Sequence, residues 1–126
     1  MITNVGKDWK ARVMADPSSN GSGSYGSAYI IGVSSDSGAV NATDTTLTGE
    51  IVSGTLTRGD ASYSHTNGTG SYTLTKIFTS DQTVTIRKVG VFNAAGVLVF
   101  AKLLDPADYI VCNNGDQFQI TQTVPL

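Results

Sequence analysis

Tyr72-Thr73-Leu74-Thr75-Lys76-Ile77-Phe78-Thr79 decides the fold class. Tyr72, Leu74 and Phe78 recur at every second position, which puts their side chains on one face of an extended strand. Lys76 interrupts that face and Ile77 lands on the other. The spacing therefore predicts one slip or bulge near Lys76. Asn67-Gly68-Thr69-Gly70 on one side and Ser80-Asp81-Gln82 on the other are turn signals, so the segment reads as a bounded strand.

Downstream the same grammar repeats. Val84, Ile86 and Lys88 alternate against Thr83, Thr85, Arg87 and Val89 in a single further strand. Val89-Gly90-Val91-Phe92-Asn93 runs into Ala94-Ala95-Gly96, a hairpin-like turn. Val97 to Leu104 is a nearly continuous apolar run, read as a strand covered on both faces. Asp105-Pro106 breaks it. A shorter strand from Asp108 to Cys112 leads to the turn Asn113-Asn114-Gly115-Asp116. In the closing stretch Phe118 and Ile120 alternate with Gln117, Gln119 and Thr121, and Gln122 breaks the apolar face before Val124 resumes it.

Upstream, β character starts at Thr55-Leu56-Thr57-Arg58 and continues through Ala61-Ser62-Tyr63. Ala28 to Val33 is also strand-like. Residues 34–46 are polar, and Thr46 or Asp44 is placed to cap a short helical turn with Leu47 and Ile51 on one side. Residues 17–27 form a Gly/Ser loop with the composition of a flexible linker. Residues 4–15 carry a helical pattern, with Val5, Trp9 and Val13 on one face, Asn4 as cap and Asp16-Pro17 as stop. Trp9 is the only tryptophan and reads as the anchor docking this helix on the core.

The bulk properties agree with short strands and tight turns. The 126 residues suit one domain with a real core. Only 14% of residues are charged, and Ser, Thr, Gly and Asn fill the gap. The net charge is −2, and the eight basic residues are scattered except for Arg87-Lys88, so there is no concentrated footprint for nucleic acid. No apolar run approaches the length of a membrane span, and no secretory leader is apparent. Cys112 is the single cysteine, which excludes an intrachain disulfide, fits a reducing compartment and reads as a buried small hydrophobe. The sequons at Asn20, Asn41 and Asn67 then read as chance products of a Ser/Thr-rich chain.

Each candidate for chemistry fails on context. Gly21, Gly23 and Gly26 match G-x-G-x-x-G, but a helix precedes and a strand follows, the reverse of a dinucleotide site. His65 is the only histidine. With Ser64 and Asp60 it has the letters of a triad, yet it sits beside an Asn-Gly turn where a polar loop residue is ordinary. No zinc or calcium spacing occurs. Glu50 is the only glutamate and reads as a solvated or locally paired carboxylate. Most aspartates lie in turns, where they bond to nearby backbone. No catalytic, cofactor-binding or metal residue is assigned, and no binding residue is identified.

Several pieces resemble a family of small tailed-bacteriophage virion proteins. They are Leu47-Thr48-Gly49-Glu50-Ile51, Tyr72 to Thr79, Val89 to Gly96 and Asn114 to Leu126, with Thr3-Asn4-Val5-Gly6-Lys7-Asp8 at the start. The sequence departs from the family at Gln122, where an aromatic is common, and by a two-residue extension around Asp105-Pro106-Ala107-Asp108. The resemblance implies a capsid decoration protein or a tail- or neck-associated one, and supplies no catalytic residues. The expectation is therefore an all-β protein: a single antiparallel, jelly-roll-like β-sandwich domain over residues 1–126 with a short N-terminal helix. It would be non-enzymatic, without cofactor, made in the host cytoplasm and located in the virion. Its partners would be the major capsid protein or tail and neck proteins, and copies of itself in an oligomer such as a trimer. Nucleic acid and membrane are not expected partners. The alternative is a fibre module that binds a host receptor or glycan, with Tyr25, Tyr29, Tyr63 and Tyr109 stacking on sugars.

Overall fold

A computed structural model describes residues 1–15 and 26–126. Among the described residues, nine strands follow one helix. Helix α1 spans Asn4–Ala15, and the strands are β1 Ile30–Ser34, β2 Gly59–Asp60, β3 Ser62–Ser64, β4 Ser71–Thr79, β5 Val84–Ile86, β6 Lys88–Phe92, β7 Leu98–Leu103, β8 Ile110–Cys112 and β9 Gln117–Pro125. They form three antiparallel sheets, ordered β2-β1-β6-β7, β3-β4-β9 and β5-β8. The chain is thus mostly β with one short helix, as the alternation required.

The deciding strand β4 pairs with β9 over its whole length without a slip, from Ser71 opposite Pro125 to Thr79 opposite Gln117. The bulge expected near Lys76 is absent. Lys76 stays on the inner face by laying its stem along apolar surface, with Nζ 4.9 Å from the Phe78 ring centre. Ile77 is left exposed on the outer face. The same register resumes beyond the facing turns, where Val84 opposes Cys112 and Ile86 opposes Ile110. The irregularity lies instead in the β6–β7 hairpin, where Phe92 faces Leu98 and Val91 faces Phe100. That extra residue sends Val99 and Phe100 to one core cluster, and Leu98 and Ala101 to another.

The first cluster unites all three sheets: Ile31, Val33, Val89 and Val91, then Leu74, Phe78, Ile120 and Val124, then Ile86 and Cys112. Each such side chain removed from water contributes about 1.5–3 kcal/mol. The second cluster, Leu47, Phe92, Leu98 and Ala101, covers the opposite face of the four-stranded sheet. Of the run 97–104 read as covered on both faces, residues 98–101 are buried, whereas Lys102 is exposed and Val97, Leu103 and Leu104 are half-buried. Gly32 and Gly90 are paired across β1 and β6, and a Cβ at either would stand 2.9 or 3.2 Å from the Phe92 ring. The glycines make the bed in which that ring lies.

Four local readings are corrected. The predicted cap of α1 is Asn4, but Thr3 does the work. Its Oγ1 accepts the Gly6 N–H at 2.9 Å and donates to the Leu98 carbonyl at 2.5 Å, so the cap also bolts the helix to β7. Residues 54–56 form a 3-10 turn instead of the start of a strand. Gly54 has φ 70°, Thr55 bonds to Thr79 and Asp81, and the turn drives Leu56 fully into the core. No helical turn forms after Thr46, because Gly49 adopts φ 71°. Leu47 and Ile51 consequently pack in different clusters. Finally, the single strand read across 83–89 is two strands. Arg87 hinges β5 out of one sheet and β6 into another, donating its N–H to the Ser34 carbonyl at 2.8 Å. Of the Gly/Ser loop read over 17–27, residues 17–25 lie outside the described residues.

Candidate functional site

Two apolar hollows flank Trp9, Val13 and Tyr72. One, of about 570 Å3, is lined further by Tyr29, Ala61 and Tyr63. The other, of about 470 Å3, runs between α1 and the end of β9, past Val99, Val124 and Leu126. The polar tips of Trp9 and Tyr72 are tied to backbone carbonyls. Trp9 Nε1 donates to the Gly26 carbonyl at 2.7 Å, and the Tyr72 hydroxyl donates to the Ala28 carbonyl at 3.0 Å. Both bonds clamp the segment that enters β1 and leave ring faces as lining. Burial, then the neighbouring Tyr63, pushes the Tyr72 hydroxyl up to about 12, so it remains a neutral donor. Tyr63 tilts against Tyr72 with ring centres 6.0 Å apart.

Of the four tyrosines singled out in the sequence, Tyr29 and Tyr63 meet at this hollow. Tyr109 sits elsewhere, 5.4 Å from the Arg87 guanidinium. Tyr25 lies outside the described residues. Trp9 packs on the main cluster as an anchor and also lines both hollows. Tyr72 was the residue missed: its place on the inner face of β4 marked it as core, and only the tertiary fold puts it beside Trp9.

The residues with chemical potential are dispersed. His65 Nδ1 lies 2.7 Å from the Ser71 carbonyl oxygen, and among the described residues neither Ser64 nor Asp60 hydrogen-bonds to it. Cys112 is buried, with Sγ 3.3 Å from the Val84 carbonyl. Among the described residues no three His, Cys, Asp or Glu side chains come together in a cage for a metal. Asp36, Asp44, Asp81 and Asp116 accept backbone N–H groups of Gly38, Asn41, Thr55 and Asn113. Glu50 is paired: its carboxylate takes two bonds from Arg58, at 2.6 and 2.8 Å, and the guanidinium lies 3.6 Å over the Phe92 ring. Lys88, only 3% exposed, donates to Asp36 at 2.7 Å. That bond, then the Gly38 N–H, holds the Asp36 carboxyl below its ordinary value.

The outer face of the β3-β4-β9 sheet differs from all this. Ser64, Thr73 and Thr123 form one cross-strand row, and Ser62, Thr75 and Thr121 the next. Ile77 with Gln119 and Thr79 with Gln117 complete it. Apart from the exposed Ile77, these side chains can give and take hydrogen bonds, and none is charged.

No protein-family model, no curated protein and no solved structure matches this chain.

Proposed function

We propose that the chain is a non-enzymatic structural protein of a bacteriophage virion, first of all a capsid decoration or head-associated protein that docks on the particle as an oligomer. In this reading the three sheets are layers of a jelly-roll-like sandwich. The observation that carries it is the uncharged Ser/Thr/Gln face of the β3-β4-β9 sheet. Charged groups are depleted at the centres of protein interfaces because desolvating them is costly. A face of hydroxyls and amides avoids that cost while keeping hydrogen-bonding capacity. The motif resemblance adds the particle. The test is quantitative mass spectrometry of purified virions. A copy number in fixed ratio to the major capsid protein is expected, and absence from particles ends the proposal.

A second reading, a fibre module that binds a host receptor or glycan, draws on Trp9, Tyr29 and Tyr63 around one hollow. Ring faces of this kind stack on sugars. A glycan array tests it: binding lost in Tyr63→Ala supports this reading, and a blank array removes it.

A further inference from the structure

We infer that β9 is an assembly edge, pairing antiparallel with β9 of a second copy of this chain to make one continuous six-stranded sheet. This rests on the reading of the chain as a self-assembling subunit. Most sheet edges in the fold are short or covered. β2, β3, β5 and β8 are two or three residues long. The edge of β7 is occupied: Ile2 bridges Phe100, Thr3 donates its N–H to the Val99 carbonyl, and the Met1 amino group and carbonyl both bond to Ala101. β9 is nine residues long and lies at the end of its sheet.

Among the described residues no strand pairs with the far side of β9, and its ladder shows which groups face that way. Leu126 donates its N–H to the Gly70 carbonyl at 2.8 Å, and Ser80 donates its N–H to the Asp116 carbonyl at 2.7 Å. Antiparallel bonding alternates along a strand, so the even-numbered residues of β9 bond to β4. The N–H and C=O groups of Gln119, Thr121 and Thr123 therefore point away from it. One of these carbonyls has a makeshift partner, for Gln122 Nε2 donates to the Thr123 carbonyl at 2.9 Å. Gln122 is 7% exposed and faces inward, so its amide reaches round to where a neighbouring strand would donate.

A second copy fits this edge because β9 is self-complementary. Centred on Thr121, a twofold puts Thr121 opposite itself, Gln119 opposite Thr123, Ile120 opposite Gln122 and Phe118 opposite Val124. Polar residues then meet on the outer face and mostly apolar ones on the inner face, with about six new backbone hydrogen bonds. The strand holds no charge, so two acidic molecules meet there without like charges opposed. It also lacks the Lys, bulge or central Pro that shields such edges in monomers. Pro125 merely ends the ladder. A twofold contact gives dimers in place of the trimer expected from the resemblance.

An edge contact buries less than the about 800 Å2 per partner of a standard interface, so association is expected to be weak, in the micromolar range or above. Sedimentation of the purified chain over a concentration series reads it. The wild type should form dimers as concentration rises, and Thr121→Pro should remain monomeric with unchanged circular dichroism, because the lost N–H faces away from β4 and bonds to none of the described residues. If that variant does not fold, Thr121→Lys serves instead. Facing Thr121 residues would lie about 5.5 Å apart between Cα atoms, within disulfide range. In a Cys112→Ala background, Thr121→Cys should form covalent dimers, and Ile77→Cys, exposed on the same face one strand in, should not. A wild type monomeric at about 1 mM, or equal association in Thr121→Pro and Thr121→Lys, or equal cross-linking of both cysteine variants, overturns the inference. These measurements stand apart from the virion test: a particle-bound monomer sinks the edge alone, and a dimer absent from particles sinks only the location.

Discussion

Replacing Gly6 by alanine sets two effects of opposite sign against each other. Within an exposed helix the change stabilises by about 1 kcal/mol, because glycine loses more backbone freedom on ordering. Gly6 is not exposed. A Cβ there would stand 2.2 Å from the Val99 carbonyl oxygen and 2.8 Å from the Val99 carbonyl carbon and Cα. These are backbone atoms of β7, held in a sheet, and they cannot swing aside like the end of a side chain. The helix must move outward by about 1 Å to restore ordinary contact.

That shift strains the Thr3 bridge to Leu98, the Trp9 bond to Gly26 and the packing of Trp9 on the core. Overpacking of this kind costs about 1–3 kcal/mol, and the lost bonds add about 1 kcal/mol. Gly6→Ala is therefore expected to destabilise by a net ~2 kcal/mol in urea unfolding, and to lower Tm by roughly 8 °C. Trp9 is the sole tryptophan, so its fluorescence reports the displacement directly. Stabilisation by about 1 kcal/mol with unchanged fluorescence would refute the close approach of α1 to β7.

Arg58→Ala should cost about 1 kcal/mol, and Arg58→Lys should recover only part of it, because lysine cannot supply the two-pronged bond to Glu50 or the flat contact with Phe92; paired urea curves measure both. Asp36→Asn should destabilise by leaving Lys88 buried without its carboxylate, and Asp36→Asn with Lys88→Met should restore stability. The Asp36 carboxyl is held below its ordinary 3.8, so its contribution is present above that value and fades as pH falls through the lower folded one. The stability gap between wild type and Asp36→Asn should close on acidification. Tyr72 is raised instead, to about 12, so its contribution is present below the unfolded value of about 10 and is lost as pH rises toward 12. Phenolate absorbance should show a late-titrating component that disappears in Tyr72→Phe.

The strands were legible where alternation and turn residues agreed, as in β4 and β9. Reading failed where a distant partner decided the outcome. Lys88 looked like a polar member of an alternating strand, yet it is buried because Asp36, 52 residues away, receives it. Leu47 and Ile51 have helical spacing, but Gly49 in the left-handed region turns the chain between them. Hydropathy found α1 through Val5, Trp9 and Val13, yet its closest approach to the sheet is made by Gly6, which no apolar pattern marks. The hollow beside Trp9 was half visible: loop tyrosines suggested Tyr29 and Tyr63, and Tyr72 was hidden by its place in a strand. The motif residues of β6 and its hairpin prove to be packing and turn elements. Gly90 lies under Phe92, and the Asn93 side chain accepts the N–H groups of Ala95 and Val97.

Gln122 joins the two levels. In the sequence it interrupts an apolar face; in the fold it is buried and spends its amide on the edge carbonyl of Thr123. An amide in that position competes with an incoming strand for the same acceptor. Gln122→Leu removes the competitor and replaces a buried amide with hydrocarbon on the face that packs with Leu74 and Val124. The Thr123 carbonyl then turns to water, which reaches an open edge. The monomer should gain about 1 kcal/mol, since burying a leucine outweighs one modest hydrogen bond. Self-association should tighten several-fold, because the partner's N–H now meets an unoccupied acceptor. Urea unfolding and sedimentation on the same preparation separate the two effects. A more stable monomer with unchanged association would show that Gln122 serves the core alone, and weaker association would mean that its amide helps to build the edge contact.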